Sequence, residues 1–141
     1  MKVSKVFWGL VVLVILLVTP LSVLAEGGDE IIEYGDGYRF DRNGWVYVHI
    51  EGEPYERGVQ HGYLLAPELE DILRSLKYLT YWNTGMKWEF FVKAADDLFT
   101  NHIDEEFMLE IRGIADGAKA AGVDISWEEV LTWNGYEELT D

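Results

Sequence analysis

Three histidines, His49, His61 and His102, are the side chains of this 141-residue chain best suited to acid–base or metal chemistry, and they stand in unrelated settings. Neither an HExxH pair nor an Asp-x-Asp loop accompanies them, and the sequence has no cysteine. Zinc and calcium ligand spacings are therefore missing, and no metal or cofactor is expected. His61 could exchange a proton near neutral pH, yet a histidine on a packed helix more often serves as a hydrogen-bonded structural residue. The pairs Glu105-Glu106 and Glu128-Glu129 have the type for general acid and base work. Their place in predicted first helical turns gives them a simpler role, facing the positive helix end. No glycine-rich phosphate loop follows a strand, and no G-x-S-x-G elbow is present. Ser75, Thr80, Thr84, Thr100, Ser126, Thr132 and Thr140 all fall within or beside predicted helices rather than at a strand start. Asn134 is the one further polar residue of note, set among apolar and aromatic neighbours. No catalytic residue is assigned.

The elements that would position these groups follow from spacing. The stretch Glu56-Arg57-Gly58-Val59-Gln60-His61-Gly62-Tyr63-Leu64-Leu65 comes just after Pro54, which suits a first helical turn. On that helix Gly58, Gly62 and Ala66 fall four apart and leave one face without side chains. Each glycine costs about 1 kcal/mol relative to alanine inside a helix. Two of them imply that something, most simply backbone, presses against the stripe. Gly113 and Gly117 repeat the spacing in a helix predicted over Asp104 to Ala121, with Asp104 as N-cap, Gly122 as terminator, and Phe107, Ile111, Ile114 and Ala118 buried.

Upstream, Tyr38-Arg39-Phe40 and Trp45 to Glu51 flank Asn43-Gly44, a strong hairpin signal. Val46, Val48 and Ile50 form an aliphatic strand face expected to be buried, while Trp45, Tyr47, His49 and Glu51 form a face that also needs a cover. Gly27-Gly28-Asp29-Glu30 and Gly35-Asp36-Gly37 read as unstructured, giving a flexible joint over 26–37. Pro67 kinks or restarts the first helix. Leu69, Ile72, Leu73, Leu76 and Leu79 then make an amphipathic stripe, Tyr81 to Gly85 a break, and Met86 to Phe99 a helix burying Phe90, Phe91, Ala94 and Leu98. Ser126 and Glu129 make a capping box, with Ile125 and Val130 as its staple, for a last helix from Trp127. The expected class is α+β, mainly helical with an N-terminal β-hairpin.

Lys2 and Lys5 precede an uncharged apolar run, Val6 to Val18, and Val23 and Ala25 supply the small residues of a signal-peptidase site. Residues 1–25 thus read as a secretory signal that leaves Glu26 as the new N-terminus. An uncleaved anchor over residues 6–25 is the alternative, since the run is nearly long enough to span a bilayer. Either way the predicted domain, residues 38–141, is secreted or extracytoplasmic. The formal net charge is −15. It becomes more negative when the leader takes its two lysines away, and such a surface makes nucleic acid and anionic membranes poor partners. An exported domain without cysteine must rely on its core or on further protein instead of disulfides.

Three segments together carry a family resemblance: Pro54-Tyr55-Glu56-Arg57-Gly58-Val59-Gln60-His61-Gly62-Tyr63-Leu64-Leu65-Ala66, then Glu110-Ile111-Arg112-Gly113-Ile114-Ala115-Asp116-Gly117-Ala118, then Glu129-Val130-Leu131-Thr132-Trp133-Asn134 with Glu137-Glu138-Leu139. In order and distance the chain from Tyr38 to Leu139 resembles the opening part of the autoproteolytic acyl-coenzyme A:6-aminopenicillanic acid acyltransferase family of N-terminal nucleophile hydrolases, with phospholipase B-like proteins as distant relatives. The resemblance implies an αββα sandwich made as a precursor. That precursor cuts itself before a cysteine, whose thiolate then attacks an amide or thioester carbonyl with its own α-amino group as base. Gly58, Gln60, His61, Gly62, Gly113, Asp116, Gly117 and Asn134 match the motifs as structural positions. No residue of this chain matches a catalytic one, and the cysteine would lie beyond Asn134. The resemblance therefore implies a fragment or α-part of such an enzyme, an incomplete sandwich that is inactive alone and partnered by the nucleophile-bearing part. Small acyl or amide substrates would belong to the complete protein.

Two readings of another class stand beside it. One is a secreted or tethered module that binds a peptide or sugar through Trp45 and Tyr47. The other is a helical interaction protein that completes a different subunit.

Overall fold

The computed structural model describes residues 30–140, so the segment expected to be a signal, residues 26–29 and Asp141 lie outside the described residues. Three strands come first. β1 (Ile32–Tyr34), β2 (Gly37–Arg42) and β3 (Trp45–His49) form one antiparallel sheet in the order β1-β2-β3. Helices follow: α1 (Pro54–Leu64), α2 (Ala66–Thr84), α3 (Trp88–Phe99), α4 (Glu105–Ala120), α5 (Trp127–Asn134) and the short α6 (Tyr136–Thr140). The architecture is α+β, mostly helical, with the small sheet on the N-terminal side.

The predicted hairpin forms around Asn43-Gly44, whose φ values of 54° and 80° give the doubly left-handed turn that matches strand twist. It pairs Arg42 with Trp45, Phe40 with Tyr47 and Tyr38 with His49. In such a turn the flanking pair is hydrogen-bonded. Alternation then directs the N–H and C=O groups of Val46 and Val48 to the open side of β3. The expectation of an unstructured 35–37 joint is corrected, because Gly35 and Asp36 turn a second hairpin in which Tyr34 pairs with Gly37 and Ile32 with Arg39. The signal missed was two turn residues between short β-forming runs. Burial of the aliphatic face also fails: Val46 is 41 % and Val48 37 % exposed. The helices lie on that side of the sheet, but α1 meets β1 and β2 and stops short of β3.

Helical spacing places the core. Leu69 and Leu73 of α2, Trp88, Phe91 and Ala95 of α3, Ile111, Ile114, Ala115 and Ala118 of α4, and Ile125, Val130 and Leu131 around α5 make one buried cluster. The α5 start is as expected, with Ser126 Oγ accepting from the Glu129 N–H at 3.2 Å and the Ser126 N–H donating back to the Glu129 carboxylate at 3.1 Å. Lys77 of α2 bridges to Glu129 at 2.7 Å, tying α2 to that turn. Four buried assignments are corrected: Ile72, Leu79, Phe90 and Leu98 are exposed. Each helix offers overlapping apolar stripes, and packing selects the one carrying Leu69 and Leu73 in α2 and the one carrying Trp88 and Phe91 in α3. The expected break at Tyr81 also moves, since α2 runs on to Thr84 and stops at Gly85, whose φ of 72° is the left-handed cap.

Candidate functional site

The two glycine pairs meet each other. A Cβ built on Gly58 would run into the Glu110 carbonyl and lie 3.0 Å from the Gly113 Cα. One turn further on, a Cβ on Gly62 would strike the Ile114 carbonyl and sit 2.8 Å from the Ala118 N. Reciprocally, Gly113 faces the Tyr55 carbonyl and Gly117 the Val59 carbonyl. Residue numbers rise together along both helices, so α1 and α4 pack parallel, backbone on backbone. The sequence predicted backbone contact at the Gly58–Gly62 stripe, and that is what is found. It is helix α4 of the same chain that provides it. A polar rim closes the seam, with the Tyr55 hydroxyl donating to Asp116 Oδ2 at 2.8 Å and Arg57 bridging to Glu110 at 3.2 Å. The bond to Asp116 raises the Tyr55 pKa.

The opposite side of α1 holds the sheet. The Gln60 amide accepts from the Glu51 N–H at 2.9 Å and donates to the Glu51 carbonyl at 2.8 Å, capturing both backbone groups where the chain leaves β3. Gly37 leaves room for it, since a Cβ there would lie 2.8 Å from Gln60 Oε1. Tyr34 stacks on Tyr63 with centroids 3.8 Å apart. Arg39, to which local sequence assigns no role, is the third anchor. It is only 9 % exposed, donates to the Leu64 carbonyl at the end of α1 at 2.7 Å, and forms a two-point pair with Glu68 at 2.9 Å. The Glu68 hydrogen bond holds its pKa above the ordinary arginine value. An arginine on the inward face of a strand was the signal available.

His61 and Asn134 share a third location, an open cavity of about 580 Å³ between α1, α4 and the end of α5. Ile103, Phe107, Ile111 and Ile114 form its apolar wall, and His61, His102, Asp104, Glu110 and Asn134 its polar lining. Phe107, expected in the core, is 57 % exposed and faces this space. The His61 imidazole makes no hydrogen bond among the described residues, so the hydrogen-bonded form of the role expected of it is not seen there. Burial pushes its pKa below the ordinary histidine value, and the Glu110 carboxylate opposes that shift. Asn134 Nδ2 donates to the Val130 carbonyl at 2.9 Å, and its Oδ1 takes no hydrogen bond among the described residues. Residues 107, 110, 111 and 114 share one face of α4 by spacing alone; with the stripe assigned wholly to the core, His102 and Asp104 were not joined to it.

The hydroxyl groups are spent on helices. Ser75, Thr84, Thr132 and Thr140 each donate to the carbonyl four residues earlier. Among the described residues no cluster of three or more histidine and acidic side chains could hold a metal ion. Nor is any helix among them long and apolar enough to cross a membrane, and the proposed anchor over residues 6–25 lies outside them.

No protein-family profile matches the chain. It is similar to an uncharacterized protein of Archaeoglobus fulgidus, 31% identical over 139 residues that cover 90% of this chain and 23% of that protein. The chain thus spans about a quarter of the length of the relative it matches.

Proposed function

We propose that the chain is the pre-nucleophile part of an exported, autoproteolytic acyltransferase or amide hydrolase with an N-terminal cysteine nucleophile that lies outside this sequence. The observation that carries the reading is the state of β3. Both its faces are exposed, with Trp45 at 71 %, and it forms the outer strand of a three-stranded sheet. An exposed edge with apolar faces is a template for further strands. In this reading the αββα sandwich continues from there, and the nucleophile-bearing part is the partner. The relative about four times as long, matched along most of this chain, supports a larger body around it. The seam of α1 and α4, built from two of the motif segments, supports a structural role for those motifs.

The test is to express the reading frame continued past residue 141 and follow it by mass spectrometry. Self-cleavage immediately before a cysteine, followed by hydrolysis of acyl amides that is abolished by Cys→Ala, is the expected result. A continuation with no such cysteine, or amide hydrolysis by residues 26–141 alone, overturns the reading.

A second reading, a secreted binding module, is favoured by the outer face of the hairpin. There Phe40 stacks on Tyr47 with centroids 4.9 Å apart and Tyr38 on His49 at 5.1 Å. Saturable binding of an oligosaccharide or peptide, lost in Trp45→Ala, would support it.

A further inference from the structure

We infer that the cavity between α1, α4 and the end of α5 is a binding site for a small amphiphile with an apolar body and a hydrogen-bond-donating amine or ammonium head. The inference stands on the cavity itself and does not use the enzyme-fragment reading. Its volume of about 580 Å³ lies within the range of roughly 300–1,000 Å³ that suits small-molecule pockets. Its floor is apolar, with Ile111 and Ile114 nearly buried and Phe107 presenting an exposed ring at the mouth. This wall recognises hydrocarbon.

The polar lining selects the head group. Asp104 caps α4 by position, but its carboxylate makes no hydrogen bond or ion pair among the described residues. Asn134 donates one of its two N–H groups to Val130 and keeps its carbonyl oxygen as an acceptor. Glu110 adds a second carboxylate, which also pairs with Arg57 at 3.2 Å. Burial disfavours the charged form of the His61 imidazole, which then offers one acceptor nitrogen. The lining is therefore rich in acceptors and poor in positive charge, on a protein whose formal charge is −15. An ammonium finds partners there, whereas a carboxylate or phosphate meets Asp104 and Glu110 at close range.

Three probes that differ only in the head separate these cases: 4-phenylbutylamine, 4-phenylbutanol and 4-phenylbutyrate, titrated into the purified chain at pH 7.5 by calorimetry and by amide chemical-shift mapping. The amine is expected to saturate with shifts centred on His61, Phe107 and Asn134, and to bind about tenfold tighter than the acid. Asp104→Asn keeps a good N-cap and removes one charge, so it narrows the gap between amine and acid. Phe107→Ala, at a side chain already largely in water, weakens all three probes together. Binding of the acid as tight as the amine, shifts that map away from the cavity, or no saturation by any probe would each overturn the proposal. The last result is the one expected if a polypeptide segment fills the space instead.

Discussion

The two halves of α1's surroundings are built to different standards. On one side α4 comes so close that four glycine positions have no room for a methyl group, and the contact is backbone on backbone. On the other side the sheet is held at three points, through Tyr34, Arg39 and the Gln60 bonds to Glu51, while every residue of β3 is exposed. The seam is closed within this chain, whereas β3 keeps an open edge and two exposed faces. Glycine in a helix is tolerated only where close packing repays its cost, so the seam's investment shows where the fold is fixed. Exposed valines and aromatic residues on a strand show where it is left open.

The comparison can be broken first at the seam. Gly117→Val should destabilise the chain by about 3 kcal/mol, because the added atoms meet the Val59 carbonyl rather than a side chain that could move. Denaturant unfolding measures it. An effect below 1 kcal/mol would mean that α1 and α4 part easily. Gly135→Ala is the control, since it meets only the Phe99 ring and should cost less.

Next comes the anchor. Arg39→Met removes the donor to Leu64 and strands a carbonyl, while the half-exposed Glu68 carboxylate can turn to water. The expected loss is about 2 kcal/mol, together with separation of sheet unfolding from helix unfolding. Gln60→Leu leaves both backbone groups of Glu51 without their partner and should cost about 1 kcal/mol, with faster amide exchange confined to the sheet.

His61 sharpens the picture through pH. Its folded pKa lies below the ordinary histidine value because of burial. The unfolded chain therefore binds the proton first as pH falls through about 6.5, and stability present above that pH is lost toward the lower folded pKa. His61→Gln should flatten this part of the stability profile between pH 7 and 5, and an unchanged slope would contradict it. The smallest effect belongs to the outer face of the sheet. Tyr47→Ser should change the stability of this chain by less than about 0.5 kcal/mol.

Much of this was legible in sequence because local chemistry fixed it. Asn43-Gly44 dictated one turn, Ser126 and Glu129 one helix start, and the glycine spacing announced a close approach. The identity of the approaching element was not legible. Gly58, Gly62, Gly113 and Gly117 carry matching signatures, but nothing local says that two stripes in one chain face each other. The same limit hid the cavity, since Phe107 has helical spacing with Ile111 and Ile114 whether it points to core or to solvent. Arg39 was hidden because its partners, the Leu64 carbonyl and Glu68, lie a whole helix away.

The most direct test of the sealed seam and of the proposed extension of the sheet is amide hydrogen exchange, followed at Gly62 and Gly117 and at Val46 and Val48, in this chain and in the longer polypeptide proposed to continue it. The account predicts seam amides protected in both, and Val46 and Val48 exchanging rapidly in the chain alone but slowly once the continuation is present. Val46 and Val48 protected as strongly as Gly62 in the chain alone, or still unprotected in the longer polypeptide, would contradict it.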